Sequence, residues 1–501
     1  MLVHSLSSSH GSWLRLHVIL VALIVLFAAA SPGFAQPAGT TLAQGRVCVE
    51  RAVVTSAVSR TLTPAERRLI FQAIQEGDEQ TEAPAATFND ATLIATVLRH
   101  ARTELGQRVR PSQVDAIWAI EPPRRDVTAE FEQARASGRL AEWLAGLSPP
   151  HPGYRHLAAE RCRYLAVIES GGWPQVAAGP TLKEGDEDPI VGQLRVRLAR
   201  QGYLLASSQT PNRFDGELTR ALKLFQQRHG LLVDGVLARQ SRESLNVSAE
   251  ARISQIEANL ERWRWLPHGL PDRRIEVDIA RAEATLFDGG VPTLQMRVVV
   301  GDPRHKTPMF TTQVAAVVFN PPWNVPSSIA RNEILPRAAR DPAYLARNGF
   351  DSRDGRLVQR PGPANALGRL KFDFPSPFGV YLHDTPGRAA FTRPLRALSH
   401  GCVRLEKPRE LALALLAGQG WTLAMIDSAI DAGTTRRVAV QAPIPLYLIY
   451  RTAFIDAAGG LNFRPDIYAW DAKLLSALAA VAADPAAEVR LESECSGTSG
   501  P

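Results

Sequence analysis

The sequence predicts a multidomain α+β protein: a helical scaffold and a small helical module, then a mostly β domain, sandwich or open barrel, with a partly helical insertion. Three observations carry that expectation. A chain of 501 residues is too long for one compact core and points to roughly three domains. Up to Leu266, apolar residues recur at helical spacing behind recognisable caps. After Asp272 the pattern changes to a period of two, rich in β-branched residues and broken by Gly and Pro turns.

Residues 1–36 read as a targeting segment. Arg15 gives a basic flank, Val18 to Ala30 is an apolar run, and Gly33-Phe34-Ala35 puts small residues before Gln36. The run falls short of the ~20 residues that cross a bilayer comfortably. A cleaved secretory signal is therefore expected, with an uncleaved inner-membrane anchor as the alternative. Either one exports the remainder of the chain. In an oxidising compartment, Cys48 and Cys162 are expected to pair, leaving Cys402 reactive and Cys495 in a Ser/Gly tail, 492–501, expected to be disordered. Four free thiols on denaturing, non-reducing titration would exclude the bridge.

Residues 37–183 form the helical scaffold. Thr63 caps a helix with Pro64 at its first position, and Asp90 is expected to cap a second. No cluster of ligands or acid/base pairs falls here. In the compact module 184–247, Val191, Leu194 and Leu198 share one helical face, and Leu218, Ala221, Leu222 and Phe225 form a second stripe ended by Gly230. Residues 248–272 are expected to be a linker helix, its Trp263 and Trp265 packing between domains before Pro267.

The β domain spans 273–442. Ile275 to Ile279, Leu294 to Val300 and Val314 to Phe319 read as strands, and 327–370 as a polar, Arg-rich insertion. Pro408 opens a helix with Leu411, Leu415 and Leu416 inward. Within 443–491, Leu446 to Ile455 and Leu461 to Phe463 are expected to form a hairpin, followed by a helix. The formal net charge of +7 is spread out, with no basic block interleaved with aromatics, so nucleic acid is not an expected partner. The oligomeric state is not legible.

The chemistry concentrates in Ser399-His400-Gly401-Cys402-Val403-Arg404, with His383 upstream by 19 positions from Cys402. A thiol of pKa about 8.5 is a few per cent ionised at neutral pH, and a histidine partner corrects that. The separation suits adjacent strands joined through the turn residues Thr385-Pro386-Gly387-Arg388. Gly401 permits close approach of a substrate backbone, and N–H groups around Cys402 can meet an oxyanion. Two blander readings stand beside this: Cys402 as inert packing, or His383, His400 and Cys402 as zinc ligands. His400 alone reads better as a structural histidine than as a base.

His383 followed by the Ser399 to Arg404 motif resembles the active-site signature of the YkuD-type L,D-transpeptidases, which cross-link bacterial cell walls. That resemblance implies Cys402 as nucleophile, His383 as proton acceptor and donor, His400 and Gly401 shaping the oxyanion hole, Ser399 supporting the turn and Arg404 near the substrate. Tyr381 and Trp323 are substrate-binding candidates. Many members have Asn three positions after the Arg, where this chain has Lys407, so a hydrogen bond from that Asn is not carried over. Phe214-Asp215-Gly216 and Gly230 to Val236 resemble the peptidoglycan-binding type 1 domain, leaving glycan or stem-peptide binding and a positioning role both open. The segment Asn320 to Pro326 and the insertion after it resemble the capping subdomain of larger family members.

The resemblance implies a periplasmic enzyme of a Gram-negative bacterium that makes 3→3 cross-links between peptidoglycan tetrapeptide stems through a thioester, without a cofactor or metal. The same thioester resolved by water gives an L,D-carboxypeptidase, and resolved on another acceptor gives attachment of a protein to the wall. A non-catalytic wall-binding protein is the reading from a different class.

Overall fold

A computed structural model describes residues 61–77, 88–205 and 210–483. The targeting segment, Cys48, Cys495 and the tail 492–501 lie outside the described residues, and with them the expected Cys48–Cys162 bridge. Cys162 is exposed on the helix Pro152–Glu169. Among the described residues, no single helix is long and apolar enough to cross a membrane.

The scaffold helices begin as their capping residues dictate. The Thr63 N–H donates to Glu66 Oε2 and the Glu66 N–H to Thr63 Oγ1, a reciprocal box that opens Pro64–Gly77. The second helix, Asp90–Glu104, corrects the expected cap by one residue: Asn89, in extended backbone, accepts from the Thr92 N–H. Asp90 already lies inside the helix and ties the two helices together, accepting from the Leu62 N–H at 2.9 Å and pairing with Arg67. Ile70, Ile74, Leu93, Ile94, Val97, Phe131 and Leu140 close this core.

In the second module, helices Pro189–Arg200 and Gly216–Arg228 bury both expected stripes, with Val191, Leu194, Leu198, Leu218, Leu222 and Phe225 fully enclosed. The expected linker helix, Ala249–Arg264, is more than a connector. Its Ile256, Ala258, Asn259 and Glu261 are fully buried, and it packs against Pro152–Glu169 on one side and the C-terminal helix Trp470–Ala483 on another. Glu261 accepts from Arg108 at 2.6 Å and pairs with Arg264, so its buried charge is compensated.

The described residues hold fifteen strands, in chain order β1 Trp118–Ala119, β2 Arg274–Asp278, β3 Glu283–Asp288, β4 Val291–Gly301, β5 Met309–Phe319, β6 Trp323–Asn324, β7 Phe350–Arg353, β8 Arg356–Gln359, β9 Leu370–Asp373, β10 Leu382–His383, β11 Ala397–Ser399, β12 Val403–Leu405, β13 Arg436–Ile449, β14 Ala453–Ile455 and β15 Leu461–Phe463. The main sheet runs β1-β5-β13-β2-β3-β4-β12-β10-β9, and β9 also pairs with β5. That last pairing turns β5, β13, β2, β3, β4, β12, β10 and β9 into a closed ring rather than an open sheet, removing the unpaired edges. The ring is mixed: β13–β2 and β10–β12 are parallel, the other ring pairs antiparallel. Period-two alternation buries Leu370, Phe372, Leu382, Val403 and Leu405 on one side of the β9–β10–β12 corner.

Two expectations shift here. The strand β13, Arg436–Ile449, spans residues 442 and 443, with a register shift against β5 between Ala439 and Ile444, after which Leu446 to Ile449 pair with Ile275 to Asp278 in the ring. The hairpin is the shorter β14/β15 pair. Past the end of β13 the chain is held at Thr452, whose N–H donates to Asn259 Oδ1 and whose hydroxyl donates to Asp471 Oδ2, so the polar groups of this buried residue are partnered. The insertion 327–370 is partly helical as expected. Its strands β7 and β8 are completed by β6, which lies before residue 327, into a three-stranded sheet, β6-β8-β7, and its small core joins Ile334 and Phe350 to Val325, so the structural unit begins at Trp323 rather than at 327.

Candidate active site

Strand register brings the motif residues together. In the parallel pair β10–β12, Leu382 lies opposite Val403 and His383 opposite Arg404, and the Val403 N–H donates to Tyr381 O at 3.0 Å. Opposed residues in a sheet share a face and alternate residues return to it. With Leu382, Val403 and Leu405 inward, Tyr381, His383, Cys402 and Arg404 occupy the other face. Lys371, opposite His383 across β9–β10, joins them. The Lys371 ammonium sits 4.5 Å from the centroid of the Tyr381 ring, and that ring meets the His383 imidazole edge-on at 6.4 Å.

His383 is buried, 4% exposed, and its Nδ1 lies 2.5 Å from Asp384 O. A carbonyl can only accept, so Nδ1 carries the proton and Nε2 presents a lone pair. Burial, followed by the neighbouring Arg404 charge, lowers the His383 pKa to about 4. Burial raises the Cys402 thiol above its ordinary value, opposed by the Tyr381 backbone, Arg404 and Lys371. The pair therefore rests as neutral thiol and neutral imidazole, not as thiolate and imidazolium. Burial and then Cys402 push the Tyr381 phenol up to about 12, so it stays protonated.

The turn before Cys402 is fixed by a side chain. Ser399 Oγ donates to Cys402 O at 2.5 Å and accepts from the Gly401 N–H at 3.1 Å. Gly401 has φ +105°, the left-handed side that a side chain disfavours. Its carbonyl accepts from Thr307 Oγ1 at 2.8 Å, and Thr307 Oγ1 in turn accepts from the Gly301 N–H. Tyr468 completes the frame: its hydroxyl donates to Gly301 O and accepts from the Thr307 N–H.

Two candidates sit differently from expectation. His400 turns away from its motif and pairs through Nε2 with Glu333 Oε1 of the insertion at 2.7 Å, its ring 4.5 Å from that of His305. Trp323 lies on β6 in the insertion sheet and packs against Phe350. Ser399, Gly401, Cys402, Arg404, Tyr381 and His383 do converge. Arg404, partly buried, has no carboxylate partner among the described residues. Nor does any group of three or more His, Cys, Asp and Glu side chains there have metal-holding geometry, with His383 Nδ1 and His400 Nε2 engaged elsewhere.

Sequence reasoning did not reach Lys371, Thr307, Tyr468 or Glu333. Lys371 had a usable signal, since Lys371-Phe372-Asp373-Phe374 alternates and leads into the histidine strand. Thr307, Tyr468 and Glu333 had none, because each meets the motif only through the closed ring or the insertion.

Residues 272–426 match the YkuD family, described as the L,D-transpeptidase catalytic domain; residues 51–160 match a scaffold domain, and residues 187–245 a domain described as "Putative peptidoglycan binding domain". A curated relative from Haemophilus influenzae, described as "Putative L,D-transpeptidase", is 32% identical over 263 residues, 48% of this chain and 53% of its own length. The chain thus spans about half the length of the curated relative it matches. Among solved structures, an L,D-transpeptidase from Mycobacterium smegmatis aligns at 19% identity over 35% of this chain and 58% of its own, with a TM-score of 0.19. One from Stackebrandtia nassauensis aligns at 14% identity over 55% of this chain and 96% of its own, with a TM-score of 0.23. With Cys402 and His383 inside the matched span, this chain carries a YkuD-type L,D-transpeptidase catalytic domain together with a scaffold domain and a peptidoglycan-binding domain.

Proposed function

We propose that this protein is a cysteine acyltransferase that forms 3→3 cross-links between peptidoglycan tetrapeptide stems in the periplasm of a Gram-negative bacterium. The observation that carries the reading is the shared face of β10 and β12, where a protonated Cys402 and a neutral His383 stand one strand apart.

Cys402 Sγ attacks the carbonyl between the third stem residue and the terminal D-Ala while His383 Nε2 takes the thiol proton. Because the resting thiol is protonated, transfer and attack occur together rather than from a standing thiolate. The Gly401 N–H is held by Ser399 Oγ, so the oxyanion falls to the Cys402 N–H, which has no partner among the described residues. His383 then returns the proton to the departing D-Ala amine, leaving a thioester. The side-chain amine of an acceptor stem attacks that thioester and loses its proton to His383, which passes it to Cys402 Sγ as the C–S bond breaks and the thiol is restored. Arg404, without an acid of its own, suits a stem carboxylate. The insertion acts as a lid that orders the substrate through Glu333 and His400.

Intact mass of the exported chain after incubation with a tetrapeptide-bearing disaccharide tests the reading. A tripeptide-disaccharide acyl adduct on wild type, absent from Cys402→Ala, is the expected result. No adduct, and no cross-linked or trimmed product, would refute it. Product analysis then separates an amine acceptor from water. Deleting Arg331 to Gly362 should greatly lower turnover; unchanged turnover in a folded deletion would end the lid role.

A further inference from the structure

A polar cavity of about 170 Å³ lies where three parts of the chain meet. Glu160, Arg163 and Tyr164 line it from the scaffold helix Pro152–Glu169, Gln201, Tyr203 and Arg228 from the peptidoglycan-binding module, and the turn Ala458 to Leu461 from the β14/β15 hairpin. None of these belongs to the β10–β12 face that holds Cys402.

The electrostatics of this junction are one-sided. Arg228 has no ion pair among the described residues; its guanidinium lies against the Tyr203 ring, 5.6 Å from the centroid, with its Nε buried and unpartnered. Gln201 Oε1 is likewise buried without a partner. Behind the cavity stand three more arginines held by carbonyls and aromatic rings instead of carboxylates. Arg197 donates to Leu245 O and faces Trp173, Arg252 donates to Ser244 O and faces Phe463, and Arg464 donates to Arg228 O and faces Phe454. Burial pulls the pKa values of all three below the ordinary arginine range. Of the nearby acids, Glu160 pairs with Arg163 at 2.6 Å, and Asp456 accepts from the N–H groups of Ala458 and Gly460 and the Asn462 amide while feeling the Arg228 charge from beyond ion-pair distance. Guanidinium charge taken out of water without an acid is costly, and it favours an anion at the one polar opening beside it.

We infer that this three-way junction is a second binding site, for a carboxylate of an acidic wall peptide, with Arg228 as its anchor and Tyr164, Tyr203 and Gln201 enclosing the adjoining backbone. Its volume suits a terminal carboxylate and one flanking group rather than a disaccharide, since sites for larger ligands run from about 300 Å³ upward. A carboxylate bound there touches all three bodies and orients the wall strand relative to the catalytic domain. The identity of the peptide rests on the peptidoglycan reading above; the carboxylate chemistry rests on the junction itself.

The test is calorimetric titration of the full exported chain with free stem tripeptide, with the same peptide amidated at its carboxylates, and with inorganic phosphate. Saturable tripeptide binding is expected in wild type and Cys402→Ala alike. It should weaken at least tenfold in Arg228→Gln and on amidation, and recover in part in Arg228→Lys. Gln201→Glu, which sets a like charge on the wall without touching the arginines, should weaken it as well, so a misfolded Arg228 variant does not decide the matter. Binding unchanged in folded Arg228→Gln and Gln201→Glu, or lost in Cys402→Ala, would overturn the site. Phosphate binding without tripeptide binding would overturn the peptide assignment. Acylation of Cys402 in the wild-type chain, followed separately by mass, reports on the catalytic reading, so failure of that reading is distinguished from failure of the junction site.

Discussion

The strand corner β9–β10–β12 and the insertion 327–370 meet at His400 and Glu333, yet they are built in opposite ways. The corner buries Leu370, Phe372, Leu382, Val403 and Leu405 completely, and its register is fixed by ring neighbours on both sides. The insertion rests on Val325, Ile334 and Phe350, with surface pairs such as Arg347–Asp341 and Arg360–Asp351 and an exposed Leu335. A π-helical turn, Ala330–Ile334, carries Glu333 toward the motif. The candidate reacting groups are thus held on the deeply buried part, and the proposed lid on the part with fewer buried contacts to lose by moving.

The largest effects test the rigid half. Cys402→Ala should remove acylation altogether in the intact-mass assay. His383→Gln should lower single-turnover acylation about 10²- to 10⁴-fold, the usual worth of a positioned general base. A His383 variant acylating at the wild-type rate would mean that the shared face does not supply the base.

Titration of His383 comes next. Its folded pKa of about 4 lies below the unfolded value, so between those two the unfolded chain binds more protons and stability falls as pH falls. The loss begins below about pH 6.5 and approaches roughly 3 kcal/mol near pH 4. Urea unfolding of wild type and His383→Gln across that range should show the difference shrinking toward low pH. A constant difference would place the histidine in solvent. Acylation should likewise show no loss attributable to His383 protonation near pH 6.5.

Ser399→Ala probes the frame of the turn. It strands the Gly401 N–H and Cys402 O, which should cost about 1–3 kcal/mol in unfolding free energy. Acylation should slow while the acid limb of its pH profile stays in place. If acylation is unaffected, the turn is held by Thr307 alone.

The smallest effect belongs to the contact between the halves. Glu333 and His400 are each about a third exposed, so Glu333→Gln should change stability by less than about 1 kcal/mol. Turnover should change a few-fold, and amide exchange across 330–347 should quicken while Leu382 and Val403 remain protected. Equal exchange in the two regions would erase the contrast drawn here.

Much of the site was legible because its chemistry is local in sequence. Ser399, Gly401, Cys402 and Arg404 fall within one short stretch, and the turn between His383 and the motif pointed to paired strands. The cap at Asn89 was missed by one residue, since Asn and Asp are equally good caps and only backbone dihedrals choose between them. His400 was grouped with the site by its place in the motif and Trp323 through the segment that resembles a capping subdomain, whereas their partners, Glu333 and Phe350, come from the insertion.

The sequence by itself determined the order of helical and strand regions and the apolar stripes of the second module, and it named the candidate cysteine–histidine pair, because periodicity, caps and motif spacing are properties of neighbouring residues. Only the tertiary structure decided that β9 returns to β5 to close the ring, that β13 crosses the expected domain boundary, and that the presumed linker helix is a buried axis. It also set the protonation of the pair: burial, aided by the Arg404 charge, keeps His383 neutral, and burial, against that same charge, keeps Cys402 protonated. Contacts between residues far apart in the chain depend on which surfaces the fold brings together, and charge states depend on how much water those contacts remove.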